Sequence, residues 1–97
     1  MFARMTTAYI SINKTDEAIR IMRDNIMPVT KTQKGFRQIL VLSDRKTDKG
    51  VMITLWDAEK DAIANEQSGY YQDQVEKLAP YYITTPIREG FEVTAQD

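Results

Sequence analysis

The chain has 97 residues, which predicts a single domain spanning residues 1–97. Thirteen Lys and Arg against fourteen Asp and Glu leave a net charge of −1, so the sequence offers no basic surface for nucleic acid or an anionic membrane. It contains no Cys and no His, which excludes disulfides, thiolate or imidazole metal sites, and Ser-His or Cys-His catalysis within the chain.

The sequence also carries no sign of a membrane or export segment. No stretch approaches the roughly 18 apolar residues of a transmembrane helix. Thr6 and Thr7 interrupt the N-terminal region before it can form the apolar core of a secretory signal. Because a cysteine-free composition fits a reducing compartment, we expect a cytoplasmic protein with no membrane partner.

Residues 2–12 contain β-branched and aromatic residues without Gly or Pro, and they predict a first strand. Its odd positions hold Met5, Thr7, Tyr9 and Ser11, whereas Arg4 lies at an even position with the more apolar residues. The odd face suits a polar-lined cavity, or a strand that is half exposed or paired across an interface.

A helix should follow, with Asn13 or Thr15 as its cap and acidic residues in its first turn. Its predicted apolar stripe consists of Ala18, Ile19, Met22, Ile26 and Val29. Pro28 disfavours helical geometry at Met27, so we expect the helix to end near that residue.

The most informative stretch covers residues 35–57, where two apolar runs are separated by a charged connection that ends in Gly50. Such a pattern predicts a β-hairpin. Residues 39–42 and 51–55 are apolar at successive positions except for Thr54, so both faces of this hairpin should be shielded from water. One layer of helices can cover only one of these faces.

Asp57 is predicted to cap a second helix over residues 58–67, which Gly69 ends. A third, shorter helix should bury Tyr71, Val75, Leu78 and Tyr82, and residues 87–94 predict the last strand. This order predicts an α+β fold of the ferredoxin-like, split βαβ type with a four-stranded antiparallel sheet. Pairing of two sheets in a homodimer would cover the second face.

Four segments resemble the antibiotic-biosynthesis-monooxygenase family over about residues 3–93; they are 34–37, 44–47, 53–57 and 66–71. The resemblance implies a homodimeric α+β barrel with a small pocket between sheet and helices in each subunit. Some members oxidise aromatic polyketides with molecular oxygen and without metal or flavin, so no cofactor is expected. Others degrade haem with a His on the following helix, a route that this His-free chain disfavours.

In that family a Trp at the end of the third strand lines the pocket, and Trp56 occupies the matching position. An indole can pack against a planar ligand, although Trp56 could equally close the core. Glu66 is a candidate base if burial raises its pKa, with a solvated carboxylate as the alternative. We therefore name Trp56 and Glu66 as candidate catalytic residues.

Tyr9, Tyr70 and Arg37 are the candidate substrate-binding residues, because phenols and guanidinium groups can hold an oxygenated or anionic compound. Arg4 and Arg37 could hold an anionic substrate or form an ion pair across subunits, but we expect surface positions for both. The carboxylates are too scattered to form a metal site. Three hypotheses follow: a cofactor-independent monooxygenase of a small aromatic or phenolic compound, a non-catalytic ligand-binding dimer, and a purely structural dimer.

Overall fold

Four strands form one antiparallel sheet in a computed structural model that describes all residues, 1–97. They are β1 (Phe2–Tyr9), β2 (Phe36–Asp44), β3 (Lys49–Trp56) and β4 (Ile87–Glu92), in the order β2-β3-β1-β4. The helices are α1 (Thr15–Ile21), α2 (Met27–Thr30), α3 (Glu59–Gln67) and α4 (Tyr70–Leu78). This arrangement confirms the predicted ferredoxin-like fold.

The predicted hairpin consists of β2 and β3, whose register places Leu40 opposite Ile53 and Val41 opposite Met52. Arg37 falls at an irregularity in this ladder, between Phe36 and Gln38. Such bulges bend a strand and turn a side chain away from the regular alternation. Arg37 accordingly lies at the surface.

The first helical region runs past Pro28 to Thr30, so the prediction that it ends near Met27 is wrong. A π-helical segment (Met22–Ile26) joins α1 to α2 and puts Pro28 in the first turn of α2. In the first turn of a helix the backbone N–H has no helical partner. A proline, which lacks that N–H, therefore loses no hydrogen bond there. The helix therefore continues, and Thr30 is buried in place of the predicted Val29.

The prediction that Asp57 caps the second helix is wrong. Helix α3 begins after Ala58, and no side chain caps it. The carboxylate of Asp57 instead accepts a hydrogen bond from Arg37 Nε. The predicted end of this helix is confirmed, because Gly69 has a φ of 85°, in the left-handed region that favours glycine.

The helices cover the sheet face formed by the even-numbered residues of β1 and β3. Their core cluster contains Ile10, Ala18, Met22, Ile26 and Leu78. Gln74, rather than the predicted Val75, is the buried middle residue of α4. The buried side of that helix thus carries an amide where an aliphatic side chain was expected.

The opposite sheet face has no cover within the chain and is apolar, as the sequence predicted. Its exposed or half-exposed members include Met5, Tyr9, Leu40, Leu42, Val51, Ile53, Leu55, Ile87 and Phe91. We call these residues the open sheet face. No helix is long and apolar enough to cross a membrane.

Candidate functional site

Arg4 lies at the centre of a buried polar cluster between the sheet and α3, with only 3% of its surface exposed. Its Nη1 donates hydrogen bonds to Asn65 Oδ1 at 3.0 Å, and to Glu66 Oε2 and the Ala62 carbonyl at 3.4 Å each. Its Nε and Nη2 make no hydrogen bond within the chain, so they remain available to a ligand. The expectation of a surface position for Arg4 is wrong.

Two aromatic rings enclose the Arg4 guanidinium. Its central carbon lies 4.4 Å from the ring centre of Tyr71 and 5.2 Å from that of Trp56. Trp56 is fully buried, and its Nε1 donates to Thr54 Oγ1 at 2.9 Å. The Tyr71 hydroxyl is hydrogen-bonded to Thr6 Oγ1 at 2.9 Å. Each ring is thus fixed by a polar contact, and cation–π attraction compensates part of the cost of burying the charge.

Glu66 connects Arg4 to a second cation. One of its carboxylate oxygens lies 3.4 Å from Arg4 Nη1, and the other lies 3.3 Å from Nη1 of Arg88. The Glu66 side chain is 20% exposed, whereas that of Arg88 is 47% exposed. The Arg88 guanidinium also lies 5.1 Å from the Tyr71 ring centre. Arg4, Glu66 and Arg88 thus form two linked ion pairs that extend from the protein interior to its surface.

Burial lowers the pKa of Arg4 below the usual value of arginine, and the nearby Glu66 carboxylate opposes this effect. Burial also raises the pKa of Tyr82 to about 12. Tyr82 packs against the apolar core cluster, and the nearby Tyr71 adds to the rise of its pKa.

An open cleft of about 180 Å³ borders this cluster at the edge of the sheet. Its lining combines charged and apolar groups: Phe2, Arg4, Glu59, Ile63, Glu66, Arg88, Glu89 and Gly90. We call it the Arg4 cleft. The other space beneath the helices, near Met22 and Tyr82, amounts to only about 20 Å³ and is too small for an organic ligand. No cluster of acidic side chains is arranged to hold a metal ion.

No protein-family model matches the chain, and no curated protein matches it significantly. Solved structures do match it. A candidate antibiotic biosynthesis monooxygenase from Nitrosomonas europaea has a TM-score of 0.79 at 16% identity, over 98% of this chain and 100% of that one. Another, from Deinococcus radiodurans, has a TM-score of 0.76 at 16% identity, over 100% and 96% of the two chains. An uncharacterized NIPSNAP domain protein from Burkholderia xenovorans has a TM-score of 0.71 at 16% identity, over 98% and 96%.

The chain has the antibiotic-biosynthesis-monooxygenase fold. The resemblance drawn from the sequence is therefore confirmed for the fold. At these identities the likeness carries no reaction or substrate with it.

Within this monooxygenase fold, the structure brings the two candidate catalytic residues to the same cluster. Trp56 and Glu66 lie on different sides of Arg4, but only Glu66 borders the cleft. Tyr9 lies on the open sheet face, on the other side of the sheet from Trp56. Arg37 is exposed and paired with Asp57. Tyr70 is half-buried, and its hydroxyl is buried without a hydrogen-bond partner.

Sequence reasoning missed Arg4, Arg88 and Tyr71 as members of the cluster. The signal for Arg4 was its even position in the first strand. Even-numbered residues such as Ala8 and Ile10 point to the same side as Arg4, and that side is the buried face. Tyr71 was expected in the core and is buried there, but its position beneath two guanidinium groups depends on tertiary packing. Arg88 pairs with Glu66 across 22 positions of sequence, and no local pattern indicates that contact.

Proposed function

We propose that this protein is a cofactor-independent monooxygenase of a small phenolic compound and that it acts as a homodimer. The observation that carries the proposal is the Arg4 cleft, which places Glu66 between two guanidinium groups beside an open space of ligand size. Solved structures of the same fold are named as candidate antibiotic biosynthesis monooxygenases, which is the reason to test this reaction class first.

The chemistry begins with loss of the phenolic proton. Glu66 accepts this proton, and the free donors of Arg4 and Arg88 stabilise the phenolate that forms. The phenolate is electron-rich and gives two electrons to molecular oxygen as a C–O bond forms at a ring carbon, and the peroxide oxygen takes the proton held by Glu66. Loss of the hydrogen on that ring carbon supplies the second pair of electrons and breaks the O–O bond. One oxygen atom stays on the ring as a carbonyl, and the other leaves as water with the phenolic and the ring hydrogen.

In this proposal Trp56 acts through Arg4, because its indole lies against the guanidinium and is itself fixed by Thr54. The binding roles of Tyr9 and Arg37 require a site that a second subunit helps to complete, since neither residue lies in the cleft. Tyr70 has an unpaired hydroxyl that could bond an oxygenated substrate.

The open sheet face supports the dimer. Leu40 and Leu42 are 42% and 48% exposed, and Phe91 and Ile87 are 48% and 61% exposed on the other edge strand. A continuous apolar surface of this kind marks an interaction site in a soluble protein. Because twofold pairing is the commonest assembly, the proposed partner is a second copy of the chain.

A non-catalytic binding dimer is the second candidate. The specific observation in its favour is that Trp56 has no exposed surface and takes no part in the cleft lining. An indole in that position can serve as a core residue and need not contact a substrate.

Oxygen uptake with a panel of quinols and anthrones tests the reaction. We expect one mole of oxygen consumed per mole of substrate, at a rate that Glu66→Gln lowers at least a hundredfold. Glu76→Gln is the matched control, since Glu76 is an exposed carboxylate of α4. If every compound is consumed only at the rate of blank buffer, while phenols still bind, the monooxygenase proposal fails and the binding dimer stands.

A further inference from the structure

Phe2 lines both the Arg4 cleft and a second, larger cleft. The second cleft measures about 440 Å³ and extends toward Met1, Asp57 and Glu92 at the end of the sheet. Both clefts share Phe2, Glu59 and Gly90 in their linings. Phe2 therefore borders both spaces.

Gly90 is what allows the ring to lie there. In the register of β1 and β4, Gly90 is opposite Arg4, and Phe2 is two pairs further along the ladder, opposite Glu92. A Cβ atom on residue 90 would stand 2.5 Å from Phe2 Cζ, much closer than two carbon atoms can approach. The ring thus occupies the space that a side chain at position 90 would fill, a recognised use of glycine within strands.

The lining of the Arg4 cleft contains both polar and apolar groups. It includes Arg4, whose Nε and Nη2 donors are unpaired, and Arg88. Phe2 and Ile63 supply the apolar part of the lining. A ligand that fits carries an oxygen function at one end and a short apolar body at the other. A cavity of about 150 Å³ is enough for benzene, so a cleft of about 180 Å³ has room for one ring.

We propose that Phe2, seated on Gly90, is a specificity-determining residue that restricts the Arg4 cleft to single-ring phenols. This inference rests on the proposed function, since it takes the Arg4 cleft as the substrate site. Phe2 limits the length of the ligand, and removal of the ring joins the two clefts into one groove that accepts fused-ring phenols.

The test is calorimetric titration with phenol, 2-naphthol and 2-anthrol as probes, on the full chain. We expect the wild-type protein to bind phenol more tightly than either fused-ring compound. Phe2→Ala should shift the ratio of 2-naphthol to phenol affinity by about tenfold in favour of 2-naphthol. Phe2→Leu is the matched control, since it keeps most of the bulk and should keep the wild-type ratio.

A second variant makes the test independent of the stability of Phe2→Ala. Gly90→Ala adds a methyl group where the ring now lies, so it should change the ratio in the wild-type background. It should have no effect in the Phe2→Ala background, because the ring it displaces is absent. Thermal unfolding of each variant establishes that it is folded.

The outcomes separate this inference from the proposed function. If the wild-type protein binds phenol, but neither Phe2→Ala nor Gly90→Ala changes the affinity ratio, Phe2 has no role in selection and the inference alone is overturned. If the wild-type protein binds no phenol at millimolar concentration, the Arg4 cleft is not a phenol site. The proposed function and the inference then both fail.

Discussion

Arg4→Met tests whether the buried charge of Arg4 stabilises the fold or costs stability. Two effects oppose each other at this site. The loss of water around the guanidinium disfavours the charged form, whereas Glu66 and Tyr71 favour it. The lowered pKa of Arg4 indicates that the loss of water outweighs these contacts, so we expect the charge to be a net cost to the folded state.

The expected magnitudes follow from what each substitution leaves behind. Methionine fills much of the same space without a charge, and Glu66 keeps its ion pair with Arg88. Asn65 Oδ1 loses a donor, which costs about 1 to 3 kcal/mol and offsets the gain from removing the charge. We therefore expect the stability of Arg4→Met to lie within about 1 kcal/mol of wild type. Arg4→Ala leaves a cavity as well and should be about 3 kcal/mol less stable than Arg4→Met.

Urea denaturation at one fixed protein concentration measures these differences, since an oligomer gains apparent stability with concentration. A gap of 3 kcal/mol between the two variants corresponds to roughly 12 to 24 °C in Tm for a domain of this size. A loss of more than about 2 kcal/mol in Arg4→Met would show that the hydrogen bonds and ring contacts outweigh the loss of water. Retained phenol binding by Arg4→Met would separately remove Arg4 from the binding site.

Three further predictions concern other parts of the fold. Between pH 10 and 12 the unfolded chain loses the Tyr82 proton while the folded chain keeps it. The free energy of unfolding should therefore fall with rising pH, by about 1 kcal/mol after allowance for solvent screening. Tyr82→Phe should remove that part of the pH dependence, as measured by urea denaturation at each pH. Leu40→Glu should convert the proposed dimer to monomer in sedimentation experiments, whereas Ile12→Glu, at an exposed control position, should not. A wild-type monomer at high micromolar concentration would contradict the proposed dimer. Thr30→Val should lower the free energy of unfolding by about 2 kcal/mol, because buried Gln74 loses the oxygen to which it donates. Adding Gln74→Leu to the same chain should recover part of that loss. Equal stability of Thr30→Val and wild type would contradict the reasoning.

The strands were predictable because each depends on a local pattern. Residues 39–42 and 51–55 are apolar at every position except Thr54, and the structure shows both faces of that hairpin carrying apolar side chains. The course of the first helical region was not predictable in the same way. A π-helical segment before Pro28 shifts the buried position from Val29 to Thr30, and no propensity rule signals such a segment.

The candidate site was predictable only where a residue's position depends on its own strand or helix. Trp56 and Glu66 were named from the resemblance, and both contact the same cluster around Arg4. Tyr9 was named for its phenol, but strand alternation puts it on the face opposite Trp56. The contact between Arg88 and Glu66 joins β4 to α3 and depends on the completed sheet, so the sequence could not indicate it.

The two faces of the sheet differ in a way that connects the proposed dimer with the proposed site. Six of the sixteen buried residues are polar or charged, and they lie on the helix side of the sheet or on the helices that cover it. The open sheet face, in contrast, is largely aliphatic and aromatic. Pairing through that face would give the protein a second apolar core and allow the helix side to retain a buried cation that costs stability. A loss of stability from a buried charge is the kind of cost that a protein retains at a ligand-binding site. The partly unsatisfied guanidinium of Arg4 lies beside an open cleft and can bind a phenolate without first losing its water.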